Sequence, residues 1–166
     1  MNLAQKYGDY TTVPGSIILR DISNYSKTLV INVGSDNGIK ENMTVIANEG
    51  LVGHVVSVTS KTAKIQIIVD STSATSCLTS STRDSMICKG TLESNTTLKA
   101  TLMATDANLI QGDSIETSGL GGIYMKGIHV GKIKKIVEGS NKTDSYAVIE
   151  TAVDFEKLET VLVIIK

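Results

Sequence analysis

An all-β fold built as two small antiparallel β-barrels packed side by side is what the sequence predicts, and three observations carry that expectation. Ile (19), Val (15) and Thr (19) make up 53 of the 166 residues, a β-branched enrichment that suits a pleated, half-buried surface. Short apolar runs recur at residues 17–19, 29–33, 44–47, 51–58, 65–69, 98–103, 128–137, 146–151 and 161–165, separated by turn-forming clusters. The order of these features is also duplicated. Turn, strand, Gly50-Leu51, Gly53 and strand are answered by turn, strand, Gly119-Leu120, Gly131 and strand, with an extra loop of about nine residues, 121–129, in the second copy.

Taken in order, residues 1–10 place Leu3, Tyr7 and Tyr10 at helical spacing, consistent with the tail of a helix or with a frayed terminus. In the first unit Ile65, Ile67 and Val69 alternate with Lys64 and Gln66; in the second, Leu98, Ala100 and Leu102 alternate with Thr97, Lys99 and Thr101. Period two of this kind marks half-buried antiparallel strands. Ser35-Asp36-Asn37-Gly38, Asn48-Glu49-Gly50, Gln111-Gly112-Asp113 and Glu138-Gly139-Ser140-Asn141 supply the turns. Residues 71–85, with ten Ser or Thr in fifteen, read as a linker or, in keeping with Thr propensity and the lack of Gly and Pro, as an exposed edge strand. Asp154 is positioned to cap a single turn that puts Phe155 and Leu158 on one side. The resulting division is 1–13 for the helical tail, 14–72 for the first barrel and 73–166 for the second. The strand at 161–165, apolar on both faces, is a candidate to return to the first barrel.

Composition narrows the function. With 16 basic against 17 acidic residues and two arginines, the chain lacks the basic footprint that binding nucleic acid or an anionic membrane requires. No apolar run approaches the ~18 residues of a membrane span. At this length a core forms without disulfide or metal staples. Cys77 and Cys88 lack metal-ligand spacing and read first as structural thiols, with a disulfide as the alternative.

Candidate chemistry is sparse. His54, then Asp70 or Asp84, then Ser114 within Gly112-Asp113-Ser114 follow the order of a trypsin-like triad on two barrels. The alternative function is therefore a serine hydrolase or an inactive relative. Only 60 residues separate His54 from Ser114, however, and Ser114 runs directly into Ile115-Glu116-Thr117, whereas a triad needs residues converging in a cleft. His129 has no second His or Cys at ligand spacing, so no metal site is expected. Gly119-Leu120-Gly121-Gly122 lacks the Lys-Ser/Thr of a phosphate loop and reads as a loop shaped by positive-φ turns. No cofactor is expected. Lys132, Lys134 and Lys135, with Lys126, form a basic set that is either a solvated face or a surface steering an acidic partner.

Several strings together resemble a known family. Ile18-Leu19-Arg20-Asp21, Ser23-Asn24-Tyr25, Ile31-Asn32-Val33-Gly34, Gly38-Ile39 with Met43, Gly50-Leu51-Val52-Gly53 and Asp70 are similar to the extracytoplasmic region of the bacterial rod-shape-determining MreC family. So are Gly112-Asp113, Thr117-Ser118-Gly119-Leu120-Gly121-Gly122-Ile123-Tyr124, Lys126-Gly127, Gly131-Lys132-Ile133 and Val153-Asp154-Phe155 before Leu158. The resemblance covers residues 14–165. It implies two β-barrels following a transmembrane helix and a dimerising coiled coil, with residues 1–10 as the coiled-coil tail and the chain as a soluble truncation. It also implies a non-catalytic scaffold of cell elongation that self-associates and contacts MreD and a class B penicillin-binding transpeptidase on the extracytoplasmic side of the membrane. Arg20, Asp21 and Asp70 are expected as structural charges at strand ends. Met125 stands where the family commonly has Pro, which predicts a less rigid loop. Within that loop, 119–127, Leu120, Ile123, Tyr124 and Lys126 are the candidate contact residues, anchors of a protein interface. The competing reading has the apolar members closing the bottom of the second barrel.

Overall fold

The computed structural model describes residues 10–22, 26–102, 109–139 and 145–165. Residues 1–9 of the helical tail expected over 1–13, the Ser23-Asn24-Tyr25 string, Met103 at the end of one apolar run and the Ser140-Asn141 part of one turn lie outside them. Thr11, Thr12 and Val13 of that tail are strand and not helix, paired with Ile165, Ile164 and Val163, because their β-branched side chains suit the first barrel's sheet.

Among the described residues, twelve strands form two closed, wholly antiparallel barrels. The first contains β1 (Thr11–Asp21), β2 (Thr28–Ile31), β3 (Thr44–Ile46), β4 (Leu51–Val58), β5 (Ala63–Ile67) and β12 (Thr160–Ile165), in the order β1-β12-β3-β4-β5-β2. The second contains β6 (Ala74–Thr79), β7 (Ser85–Thr91), β8 (Ser94–Leu102), β9 (Ser114–Thr117), β10 (His129–Val137) and β11 (Tyr146–Thr151), in the order β10-β11-β8-β7-β6-β9. The last strand thus lies between β1 and β3, and the second barrel is inserted between β5 and β12 of the first. Each interior is filled by the alternate residues that the period-two pattern marks. Leu29, Ile31, Val45, Val55, Ile65, Ile67 and Val163 fill the first barrel, and Met86, Leu98, Ala100, Ile115, Ile133 and Ile149 the second, all of them buried.

The hydroxyl-rich stretch differs from expectation. It is neither a linker nor an exposed edge: β6 is paired on both sides, to β7 and β9, and buries Thr75, Cys77 and Thr79. Threonine is nearly isosteric with valine, so it fits the pleat, but its hydroxyl needs a partner. Thr79 Oγ1 lies 2.8 Å from Thr82 Oγ1 and accepts the Asp84 N–H at 2.9 Å. The single turn at Asp154 forms as expected, with its carbonyl accepting the Leu158 N–H at 3.1 Å and its carboxylate the Glu156 N–H at 3.1 Å. Arg20 then donates to the Glu156 and Leu158 carbonyls, which fastens this turn to β1.

The internal duplication has a physical basis. A Cβ added at Gly53 in β4 would lie 1.9 Å from the Gln66 carbonyl oxygen, and one at Gly131 in β10 would lie 2.0 Å from that of Glu150. Two residues on, each strand has a β-bulge, between Val55 and Ser57 and between Ile133 and Lys135. Neither glycine has positive φ; close passage of the neighbouring strand is what excludes a side chain. Gly53→Ala and Gly131→Ala are each expected to destabilise by more than about 2 kcal/mol in urea unfolding. A variant within error of the parent would show that the neighbouring strand can yield.

Candidate functional site

The seam between the barrels and the 119–127 loop beside it concentrate the polar groups with specific partners. Asp70, at the exit from the first barrel, is 1% exposed. Its carboxylate accepts the Lys27 backbone N–H at 2.7 Å, and the Thr72 N–H and hydroxyl at 2.8 and 2.7 Å. Lys27 is 3% exposed, and its ammonium donates to the Thr91 and Ser94 carbonyls, both at 3.0 Å, at the hairpin joining β7 to β8. Burial lowers the Lys27 pKa, and the Asp70 charge opposes that shift. A buried cation from the first barrel therefore grips backbone oxygens of the second and has a carboxylate beside it, the arrangement a buried charge requires. Two glycines allow the close approach. A Cβ at Gly90 would meet the Val69 and Asp70 oxygens at 2.2 Å, and one at Gly50 would meet that of His129 at 2.4 Å.

Across the same seam, His54 Nδ1 and the Tyr124 hydroxyl are 3.0 Å apart, with the two rings edge to face at 5.6 Å. Burial raises the Tyr124 pKa far above the ordinary phenol range. Burial also lowers that of His54. Both groups are therefore neutral near pH 7, and a neutral imidazole can accept the tyrosine O–H at Nδ1. Thr44 adds a bond from its hydroxyl to the Ile123 carbonyl at 3.3 Å.

The loop is shaped by Gly119, Gly121, Gly122 and Gly127, all at positive φ. At its base, Thr117 Oγ1 donates to the Met125 carbonyl at 2.5 Å and accepts the Ile128 N–H at 2.8 Å, while the Gly127 N–H donates to the Thr117 carbonyl at 2.9 Å. Thr117 thus holds the segment in which Met125 replaces the expected proline. The four candidate contact residues line one groove but differ in exposure. Tyr124 is 8% exposed and points into the seam, whereas Leu120 and Ile123 are 66% and 38% exposed and Lys126 is exposed as well. All four, with Met43 and Ile164, line an open groove of about 720 Å³ between the loop and the first barrel. Lys126 therefore belongs to this groove and not to the β10 lysines with which its sequence position groups it.

The hydrolase candidates are not brought together. His54 is engaged with Tyr124, Asp70 with Lys27 and Thr72, and Asp84 with Thr82 and Thr79. Ser114 sits at the start of β9, its N–H bonded to the Asp113 carboxylate, and among the described residues no hydrogen bond joins it to any of these three. No cluster of three metal-ligating side chains occurs among the described residues. Cys77 and Cys88 are free, buried thiols; the hydrogen bond between them, and then burial, hold the Cys77 thiol well above its usual range. Asp70 and Lys27 are the site residues that sequence pattern underrates, since their partnership spans 43 residues and has no local signature.

Comparison with known proteins gives one family. The profile described as "Rod shape-determining protein MreC, barrel core" matches residues 17–165. The cell shape-determining protein MreC of Listeria monocytogenes is 26% identical over 167 residues, covering 99% of this chain and 57% of its own length. The chain thus spans little more than half of that relative. Among solved structures, MreC from Pseudomonas aeruginosa superposes with a TM-score of 0.87 at 22% identity, covering 93% of this chain and 99% of that one. A complex between a penicillin-binding protein (PBP2) and MreC from Helicobacter pylori contains a chain matching with a TM-score of 0.72 at 19% identity, over 94% of this chain and 98% of that one. At these identities the structural likeness establishes the fold. Among the described residues no helix is long and apolar enough to cross a membrane.

Two predictions follow from the seam. Tyr124→Phe, which leaves His54 Nδ1 without its partner, is expected to cost about 1–3 kcal/mol, and Tyr124→Ala about 3–5 kcal/mol. Leu120→Ala is expected to change stability by no more than about 0.5 kcal/mol. Urea unfolding measures all three, and a Tyr124→Ala protein as stable as the parent would remove the residue from the seam's structural account. The second concerns pH. Because the folded-state pKa of His54 lies below its ordinary value of 6.5, the unfolded chain takes up the proton first as pH falls. The His54 contribution is therefore complete above the ordinary value and is lost as pH falls through it towards the lower, folded-state one. His54→Gln is expected to flatten the decline in stability over that interval; an unaltered slope would assign the decline to other groups.

Proposed function

Because this chain belongs to the MreC family of rod shape-determining proteins, we propose that it is a non-catalytic, extracytoplasmic scaffold of the cell-elongation machinery. In this reading the longer protein is anchored by a membrane helix preceding the barrels, self-associates, and binds MreD and a class B penicillin-binding transpeptidase. The observation that carries the reading is the family match across nearly the whole two-barrel unit, residues 17–165. Support for the transpeptidase comes from the Helicobacter pylori complex of PBP2 with a protein of the same fold. The contact surface proposed is the outward side of the 119–127 loop. There, Leu120 and Ile123 offer apolar side chains next to the Lys126 ammonium, at the mouth of the groove between the barrels. Tyr124 serves this surface from behind by fastening the loop to His54. An interface centred on apolar anchors with a charged rim is the usual form of a specific protein contact.

The test is a binding titration of this chain against the soluble ectodomain of the same organism's class B transpeptidase, at two salt concentrations. Saturable binding at micromolar levels or tighter is expected. Leu120→Asp and Ile123→Asp should each weaken it at least tenfold, about 1.4 kcal/mol or more, without lowering the melting temperature. Full affinity in both variants would place the contact elsewhere on the molecule. Failure of the parent chain to bind up to ~100 μM, equivalent to about −5.5 kcal/mol, would overturn transpeptidase binding by the barrels themselves.

A further inference from the structure

We propose that the outward face of the second barrel, across β7, β8, β11 and β10, is a docking surface for an acidic segment of polypeptide that also presents an apolar side chain. This goes beyond the scaffold reading, since it concerns a different surface from the groove beside Leu120 and Ile123.

Strand register builds the site. Lys89 in β7 lies opposite Lys99 in β8, Lys99 opposite Val148 in β11, and Val148 opposite Lys135 in β10. Three exposed lysines therefore occupy one row across four adjacent strands. Neighbouring strands are about 4.8 Å apart, which puts Lys89 and Lys99 about 5 Å apart and Lys135 about 10 Å further along at the backbone. The bulge between Ile133 and Lys135 turns Lys134 outward too.

Among the described residues no ion pair neutralises this row, and the acidic residue on the same face of β11, Glu150, lies one row away opposite Lys132. The two ion pairs among the described residues are Lys61 with Asp36 and Arg83 with Glu116, and neither involves these lysines. Like charges directly opposite one another on a sheet destabilise it. The position between Lys99 and Lys135, where an acidic residue would compensate both, is occupied by Val148. The chain has 17 acidic residues, so the lack of one here is a matter of placement and not of supply.

The surface between the lysines is not flat and polar. An open groove of about 740 Å³ is lined by Leu92, Lys99, Lys134, Lys135, Tyr146 and Val148. The Lys99 ammonium stands 4.5 Å from the centre of the Tyr146 ring, a contact that holds a cation in place at small entropic cost. Leu92, at the tip of the β7–β8 hairpin, is largely exposed. Ammonium groups alone would attract any polyanion, but an apolar floor of Leu92, Tyr146 and Val148 is of use only to a ligand with apolar groups of its own. An extended polypeptide meets both demands, because alternate side chains on one face are about 6.6–6.8 Å apart and carboxylates can flank an apolar residue. A phosphate polymer has no apolar group to offer. Glu93, also lining the groove, places one negative charge at its hairpin end and so favours entry of the acidic segment from the Lys134–Lys135 side.

The test uses this chain and a fluorescein-labelled ten-residue peptide of alternating Glu and Leu, followed by fluorescence anisotropy at low and physiological salt. Saturable, salt-sensitive binding is expected. The double variant K99E/K135E should weaken it at least tenfold while keeping or raising the melting temperature, and K126E, in the other groove, should leave it unchanged. Amide chemical-shift mapping on the unmutated chain locates the peptide without any variant and should show perturbations concentrated on β7, β8, β10 and β11. Absence of binding up to ~1 mM, about −4.1 kcal/mol, or perturbations centred elsewhere, would overturn the proposal. So would equal affinity for a Glu–Ser peptide, for inorganic polyphosphate or for phosphatidylglycerol vesicles, since each would mean that charge alone is read.

Discussion

The first barrel is closed by a strand that the chain supplies only after completing the second. β12 pairs with β1 on one side and β3 on the other, so six strands and two connections must be in place before the first hydrogen-bonded cylinder exists. Two consequences follow from this one closure. The chain passes between the barrels twice, at 68–73 and at 152–159, which forbids the free swivelling that a single linker would allow. The placement of two charges also becomes intelligible, because buried Asp70 lies on the outgoing connection and exposed Arg20 fastens the returning one through the Glu156 and Leu158 carbonyls.

At the seam, polar groups have replaced what would otherwise be a plain apolar contact. Lys27, Asp70, His54 and Tyr124 are all largely withdrawn from solvent; Lys27, His54 and Tyr124 each have a directional partner across the seam, and Asp70 holds the Lys27 backbone in place. Such contacts add less net stability than apolar packing of the same volume, but they penalise misalignment heavily because a displaced buried donor or acceptor loses its partner outright. The 119–127 loop inherits this registration. Tyr124 fixes its inner side, Thr117 pins its base, and Leu120 and Ile123 are left facing outward on a frame that has little room to shift. Met125, in a place where proline would stiffen the chain, does not leave the loop unsupported, since the bonds to Thr117 Oγ1 and the Thr117 carbonyl span it.

Much of this was legible in the sequence, and the exceptions have physical causes. Period-two runs such as 63–67 and 98–102 announce their strands because one face is packed and the other wet. Gly53 and Gly131 reveal the duplication because close strand passage tolerates nothing larger. β6 is the instructive failure: its Ser and Thr side chains imitate an exposed edge, yet in a closed barrel there is no edge, and the inward hydroxyls are accommodated by local bonds in the case of Thr79. Thr75 Oγ1, by contrast, is buried without a hydrogen-bond partner among the described residues. Tyr124 could be assigned to the loop but not to the seam, because its orientation depends on His54, 70 residues away. The Lys89–Lys99–Lys135 row was equally hidden, since it exists only once the register of four strands is known.

The late arrival of β12 also bears on how the molecule comes to be made. During synthesis every strand of the second barrel has left the ribosome once Thr151 has emerged, so that unit can form while the first is still an open, five-stranded sheet with β1 and β3 as bare edges. Unpaired edges of this kind are where neighbouring nascent chains add on. The segment at risk is brief in time but apolar in content, and the interval it must survive is set by the few residues between Thr151 and Ile165. A chain cut short within that stretch would carry one complete barrel and one sticky sheet together.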